Sequence, residues 1–412
     1  MVDITMPATR SVPAWRILVL AFLAMNCALG IDLGAYGTLV HAMERDYGTS
    51  RAMAASGSSM LTISMGLLSP LIGGLIRRYP LRLIMAAGAL LNGLGYALLT
   101  ATHQATLMLV IYGLLIGPGF CLLSVIPCTT LVSNWFPTGK GRAIGIMNMP
   151  FGNTVFPIIF ATTVQFYGLT GAFWLGAAIM VSLAPLLFFL VEDRPKEVLT
   201  RRDEHIPSMA AGLDADPLTS RQLLATPSFW VLTIGMALLT GGSLAMLAHL
   251  AVLAQGRGLS LEQASLVVAT LGLAGVFGAP LLGSVADKIG GGRSLAVNAL
   301  LRLLPWTALL FVGHSLPSLL VIAFLIGITS NSELTLFGAT TGNWLGTENL
   351  SLAMGLSYLF QIPFIFGAAP LAGAMYERTG SYDYTIILHD STFVVIGLLF
   401  LFYAPPPNKR VA

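Results

Sequence analysis

Four ionisable side chains sit where water is scarce. Asp32, His249, Arg302 and Glu333 each fall inside a long, nearly uncharged apolar run. A charge at the centre of a bilayer costs about 2.5–3.5 kcal/mol on insertion scales, so each of these needs a partner or a task. A carboxylate at Asp32, with Gly30, Gly34 and Gly37 around it in a helix free to bend, is placed either to exchange a proton with a transport path or to accept hydrogen bonds in a helix contact. His249 carries the side chain whose ordinary titration lies near neutral pH, yet it stands toward the end of its run, where an imidazole also simply meets interfacial water. Arg302 and Glu333 fall near the middle of consecutive antiparallel runs. They are expected to pair, as a structural tie or as a switch that opens during a cycle.

Amides and hydroxyls add hydrogen-bonding capacity at similar depth: Tyr36, Asn148, Asn153, Asn331, Tyr358 and Gln361, with Glu333 following the polar stretch Ser330-Asn-Ser. These residue types hold and orient a polar solute. They form no catalytic constellation, and no Walker-type phosphate loop is present. Gly290-Gly-Gly292 is a turn after an apolar run, not a strand-to-helix cradle. Cys27, Cys121 and Cys128 lie inside apolar runs without metal-ligand spacing and serve as small packing residues. No enzyme activity, cofactor or metal is expected.

The elements that position these groups follow from composition. Of 412 residues, 56% are hydrophobic and 9% charged, against roughly 25% charged in an ordinary soluble domain. Most of the outer surface must therefore meet lipid. The net charge of +3 is small and scattered, which excludes a basic nucleic-acid groove. No removable signal peptide is expected ahead of the first run. Crossing about 30 Å of hydrocarbon takes about 20 apolar residues, which predicts spans near 14–40, 52–76, 81–101, 105–134, 142–167, 170–191, 226–254, 261–285, 294–313, 316–343, 351–375 and 383–404. The longest polar break, with Pro195, Pro207 and Pro217, divides them six and six. The expected organisation is an all-α integral membrane protein of twelve transmembrane helices in two pseudo-symmetric six-helix bundles, residues 1–191 and 223–412, joined by a cytoplasmic linker over 192–222.

Charge asymmetry sets the expected orientation. Arg10, Arg16, Arg77, Arg78, Arg82, Lys140, Arg142, Arg194, Lys196, Arg201, Arg202, Arg221, Lys288, Arg293, Lys409 and Arg410 fall on the side that holds both termini and the linker. The other side carries Arg45, Arg51, Arg257 and Arg378. By the positive-inside rule both termini are cytoplasmic and the protein lies in the inner (plasma) membrane.

The two halves also share a loop pattern. Gly73-Gly-Leu-Ile-Arg-Arg-Tyr-Pro-Leu-Arg82 follows span 2, and Gly283-Ser-Val-Ala-Asp-Lys-Ile-Gly-Gly-Gly-Arg293 follows span 8. The second, through Gly283, Asp287, Lys288, Gly290 and Arg293, resembles the loop signature of the major facilitator superfamily. The first departs from it, with Arg77 at the acid position and Pro80 at a glycine position. The resemblance makes Arg77, Arg78, Asp287, Lys288 and Arg293 gating-loop residues. Asn134-Trp-Phe-Pro-Thr-Gly-Lys-Gly-Arg-Ala143 and Thr226-Pro-Ser-Phe-Trp-Val-Leu232, with His249 and Gly256-Arg-Gly-Leu-Ser260, resemble segments of the monocarboxylate transporters and oxalate–formate exchangers.

That resemblance implies a path lined by spans 1, 4, 7 and 10, which puts Asp32, His249 and Glu333 on lining helices and Arg302 on an outer one. It also implies two anchoring cations that are missing, since Ala279 before Pro280 and Gln361 stand at those positions. A doubly charged dicarboxylate then has little to neutralise it. The expected function is secondary transport of a small organic anion, a monocarboxylate above all, by alternating access with a proton or a counter-solute. The alternative is a neutral, zwitterionic or amphipathic drug-like solute, although Met149-Pro-Phe-Gly-Asn153 lacks the glycine-proline pattern of drug antiporters in span 5. The expected partners are the solute, the proton or counter-solute and the lipid bilayer, with the chain a monomer.

Overall fold

The computed structural model describes residues 13–195, 217–403 and 405. Of the expected features, Arg10, Lys196, Arg201, Arg202, Lys409, Arg410 and much of the linker lie outside the described residues. Among the described residues, eleven helical stretches are long and apolar enough to cross a membrane. One of them, Lys140–Leu190, is 51 residues long and contains two crossings. Within it, Phe151–Leu190 is 40 residues, about 60 Å if straight. Its two ends nevertheless return to one side of the molecule. Trp135 Nε1 donates to Glu192 O at 2.6 Å and Asn134 Nδ2 to Asp193 O at 3.2 Å, only a few residues before Lys140. The reversal is at Gly168, whose φ of 70° and ψ of −175° suit a residue without Cβ. The chain therefore crosses twelve times.

Several spans are interrupted at mid-depth. Span 1 runs as Ala14–Leu29, a π-turn Gly30–Gly34 and Tyr36–Asp46, so the bend expected around the glycines is a wide turn centred on Asp32. Span 4 contains a second π-turn, Tyr112–Ile116, and then breaks at Ser124 before Val125–Trp135. Span 5 starts as Lys140–Met147 and restarts at Phe151 after Pro150. Span 10 is divided into Leu316–Ser330 and Glu333–Leu345, which starts the second segment on an acidic residue, where a helix N-terminus favours negative charge. Spans 2 (Arg51–Ile76), 3 (Leu81–Leu99), 7 (Pro227–Gly256), 8 (Leu261–Ile289), 9 (Gly291–Phe311), 11 (Leu350–Thr379) and 12 (Asp383–Phe402) are single helices.

The first six spans pack on one another, and so do the last six; span 2 meets span 11 and span 5 meets span 8 between the bundles. Small residues make these crossings close. Gly73 abuts the backbone of Ser351, Gly355 that of Ser69, and Gly145 that of Ala279. The end of the molecule at which the linker attaches, here the linker end, is where the bundles are tied together. Span 5 packs on span 8 chiefly through Lys140–Met147, and spans 1 and 7 share no extensive contact.

Candidate transport site and gate

The Arg302 guanidinium and the Glu333 carboxylate form an ion pair, from spans 9 and 10. Ser243, at mid-span 7, donates to Glu333 Oε1 at 2.5 Å and accepts from Arg302 Nη1 at 2.9 Å. Arg302 Nη2 donates to the Thr329 carbonyl at 2.8 Å, and the guanidinium lies 5.5 Å from the Phe393 ring centroid. Arg302 is fully buried and Glu333 is 6% exposed. With its side-chain amide oriented to satisfy its neighbours, Asn298 adds a further acceptor for Nη2 and donates to Thr329 O and Ser332 Oγ. Such further bonds offset part of the cost of taking a charge pair out of water, while the Arg302 Nε stays buried without a partner. The other ion pairs among the described residues, His41–Glu44 and Arg45–Asp46, are at least partly exposed.

A second cluster is in the N-terminal bundle. Asp32, fully buried at the π-turn, accepts from Asn92 Nδ2 at 2.7 Å and from Tyr96 OH at 2.9 Å, both on span 3. Tyr36 donates to Ala54 O at 2.5 Å and packs edge-on against Tyr112 at 5.3 Å, which ties span 1 to spans 2 and 4. Asp32 and Tyr36 thus face other helices of their own bundle.

The remaining candidates are dispersed. His249 Nε2 donates to Ala369 O at 3.0 Å, which leaves Nδ1 to accept from Tyr382 OH at 2.9 Å in the neutral ring. That arrangement joins span 7 to span 11 and to the turn before span 12. Asn331 donates to Leu271 O at 3.2 Å and lies against Gly275, in the seam between spans 8 and 10. Asn153 is exposed on span 5 beside Gly34. Asn148 bridges the bundles through a 3.2 Å bond to Thr335 Oγ1. In span 11, Gln361 donates to Ser357 Oγ at 2.8 Å, while Tyr358 packs edge-on to Phe337 and its hydroxyl is buried without a partner. Ala279 is fully buried, and its carbonyl lies against Gly145 where spans 5 and 8 cross.

The gating-loop residues separate into those that bond and those that face solvent. Asp287 accepts from the backbone N–H groups of Gly141 at 2.6 Å and Arg142 at 2.9 Å, so a carboxylate of the C-terminal bundle caps the first turn of span 5. At the related place after span 2, Arg77 donates to Leu218 O at 2.7 Å and Asn349 Oδ1 at 2.9 Å. A guanidinium is a poor neighbour for a helix N-terminus, and here the Asn349 amide stands between Arg77 and the start of span 11. Desolvation lowers the Arg77 guanidinium below its ordinary value, opposed by nearby Glu348. Arg78, Lys288 and Arg293 are exposed.

Sequence patterns alone passed over several members of these clusters. Ser243 sits in Gly241-Gly-Ser, a hydroxyl beside two glycines at mid-span. Asn92 and Tyr96 are four apart on one face of an otherwise apolar helix. In span 12, His389 stacks on Trp306 at 5.2 Å and Asp390 accepts from Thr307 at 2.7 Å; two adjacent ionisable residues in an apolar run were the available signal.

A polytopic helical protein with twelve crossings in two six-helix bundles and a polar network at mid-depth has the build of a solute transporter. The family model of the Major Facilitator Superfamily matches residues 20–304 and 253–412, and the chain belongs to that superfamily. An uncharacterized MFS-type transporter of Escherichia coli (strain K12), YhjX, is 25% identical over 316 residues, 75% of each chain. The gallate transporter of Pseudomonas putida is 25% identical over 413 residues, covering 84% of this chain and 88% of its own. The superfamily transporter FucP, solved in the outward conformation, shares the fold with a TM-score of 0.71 over 95% of this chain and 98% of its own, at 16% identity.

Proposed function

We propose that this chain is a proton-coupled carrier of small, singly charged organic acids, of the monocarboxylate transporter type, working by alternating access. The observation that carries the reading is the Arg302–Glu333–Ser243 network, a breakable charge pair at mid-depth linking three spans of one bundle. Protonation of Glu333 removes the partner of Arg302. The guanidinium is then free to take a substrate carboxylate, with the Ser243 hydroxyl as a second donor. A proton and a monoanion bound together leave the net charge of the site unchanged, so the loaded and the empty site each hold a paired guanidinium. A dicarboxylate would bring one negative charge too many, given Ala279 and Gln361. The relative that transports gallate, an aromatic monoacid, supports this size and charge.

Closure at the linker end fits the state in which the site is reached from the opposite side. With residues 192–222 and both termini cytoplasmic, that state is outward-facing. We assign the chain to the inner (plasma) membrane as a monomer, with residues 1–191 and 223–412 as its moving bodies. A neutral or amphipathic solute is the second reading. It is favoured by the unpartnered Tyr358 hydroxyl and the uncharged Gln361–Ser357 pair on span 11.

Uptake of labelled small monocarboxylates, gallate included, into proteoliposomes with and without an inward proton gradient separates the two. Gradient-stimulated uptake that Glu333→Gln uncouples supports the proposal. No uptake of any monoacid under either condition sinks it in favour of a neutral solute.

A further inference from the structure

Outside the network at mid-depth, the linker end carries a groove of about 430 Å³ between span 2 and the last residues of the linker. One wall is apolar: Pro70, Leu71 and Leu75 of span 2, with Leu71 60% exposed on the face that meets lipid. The other end is polar and basic, formed by Arg77, Arg78, Thr219 and Ser220. Arg78, Thr219 and Ser220 are exposed. Among the described residues neither arginine has a salt bridge, and the Arg77 Nε is buried without a hydrogen-bond partner. Two guanidinium groups, Arg78 exposed and Arg77 half-buried, thus stand at the end of an apolar wall at the depth where a bilayer presents its headgroups.

We propose that this groove is a binding site for the phosphate headgroup of an anionic phospholipid. An acyl chain lies along Leu71 and Leu75, while the phosphodiester is held by the exposed Arg78 guanidinium and the Ser220 hydroxyl, with the half-buried Arg77 charge beside them. Lipid is the solvent of this face, so the occupant is at hand, and amphipathic wall and basic rim match both of its parts. Arg77 already ties span 2 to Asn349 of the other bundle and to Leu218 of the linker. A bound headgroup therefore holds Arg77 in place and favours the conformation closed at the linker end. The inference does not depend on which solute is carried.

The test is native mass spectrometry of the purified full chain, titrated with phosphatidylglycerol or with phosphatidylcholine of the same acyl chains. Two arginines predict one phosphatidylglycerol retained at a roughly thirty-fold lower concentration than phosphatidylcholine. Arg78→Gln is expected to cut that preference about five-fold. Ser220→Asp, which places a repelling charge where the first turn of a helix tolerates an acid, is expected to reduce it as well. Arg82→Gln, exposed at the same end but outside the groove, leaves it unchanged. A wild-type protein without headgroup preference overturns the proposal, as does a preference that survives both Arg78→Gln and Ser220→Asp. Displacement of the lipid by millimolar inorganic phosphate would show a free-anion site and reject the lipid assignment.

Discussion

The two bundles carry buried polar clusters at matching places, and the clusters differ in how their charge is balanced. The same sequence offset separates Gly73 from Gly283, Asn92 from Arg302 and Tyr96 from Trp306, and Asp32 from Ser243 within one residue. In the N-terminal bundle the acid is on span 1 and its two partners on span 3 are neutral. In the C-terminal bundle the span 1 acid is replaced by Ser243, the span 3 amide by Arg302, and the acid comes instead from the break in span 10. One cluster joins two helices around a single carboxylate with no exposure. The other joins three helices around a charge pair whose acid retains a small exposed surface. On the function proposed above, the first stays intact through a cycle, whereas the second is the one that a proton or an anion opens.

The largest expected effect is on the charged cluster. Arg302→Leu strands a buried carboxylate and should destabilise the protein by about 3–5 kcal/mol, seen as a lower thermal midpoint in detergent, with transport lost. Arg302→Leu/Glu333→Leu should recover the midpoint but not uptake. If the double variant transports like the wild type, the pair is only a tie and the contrast between bundles collapses.

Asp32→Asn replaces a charged acceptor of two bonds by an amide that accepts from Asn92 and donates to the Tyr96 hydroxyl, exchanging charge-assisted for neutral bonds at a loss of about 1 kcal/mol. Its gradient-stimulated uptake should persist in whatever fraction stays folded. Loss of that stimulation with exchange intact would move the coupling role to the N-terminal bundle.

A similarly modest shift is expected for Ser243→Ala, about 1.5 kcal/mol, because the ion pair itself remains. A rise in KM larger than the fall in kcat would place the hydroxyl beside the substrate; equal effects on both would make it purely structural.

A change no larger than these is expected at the linker end. Asp287→Ala removes the cap on Gly141 and Arg142 at about 1 kcal/mol. Distances between spin labels across that end should broaden toward an open population. Arg77→Gln, which retains one donor for Asn349, should broaden them less.

Much of this was legible in the chain. The positions of the spans and the pairing of Arg302 with Glu333 follow from apolar length and from the cost of an unpaired charge at mid-depth. The partners of Asp32 were not legible. Asn92 is sixty residues away on another helix, and a span has many faces a side chain can point from. The bend at Asp32 was foreshadowed by its glycines, but its form as a π-turn was not. Arg77 showed itself only as a departure from the loop pattern; its acceptors, Leu218 O and Asn349 Oδ1, lie far along the sequence.

The sequence by itself determined that this chain crosses a membrane twelve times and buries a cation and an acid on adjacent spans. Those conclusions rest on local quantities, the length of apolar runs and the expense of isolated charge. Which helices meet, which acid is enclosed by neutral donors and which is held by a cation, and which end is closed were decided by tertiary structure alone. The reason is geometric: each depends on the rotation of one helix against another, set by glycine contacts such as Gly73 on Ser351 and Gly145 on Ala279 that no single span encodes.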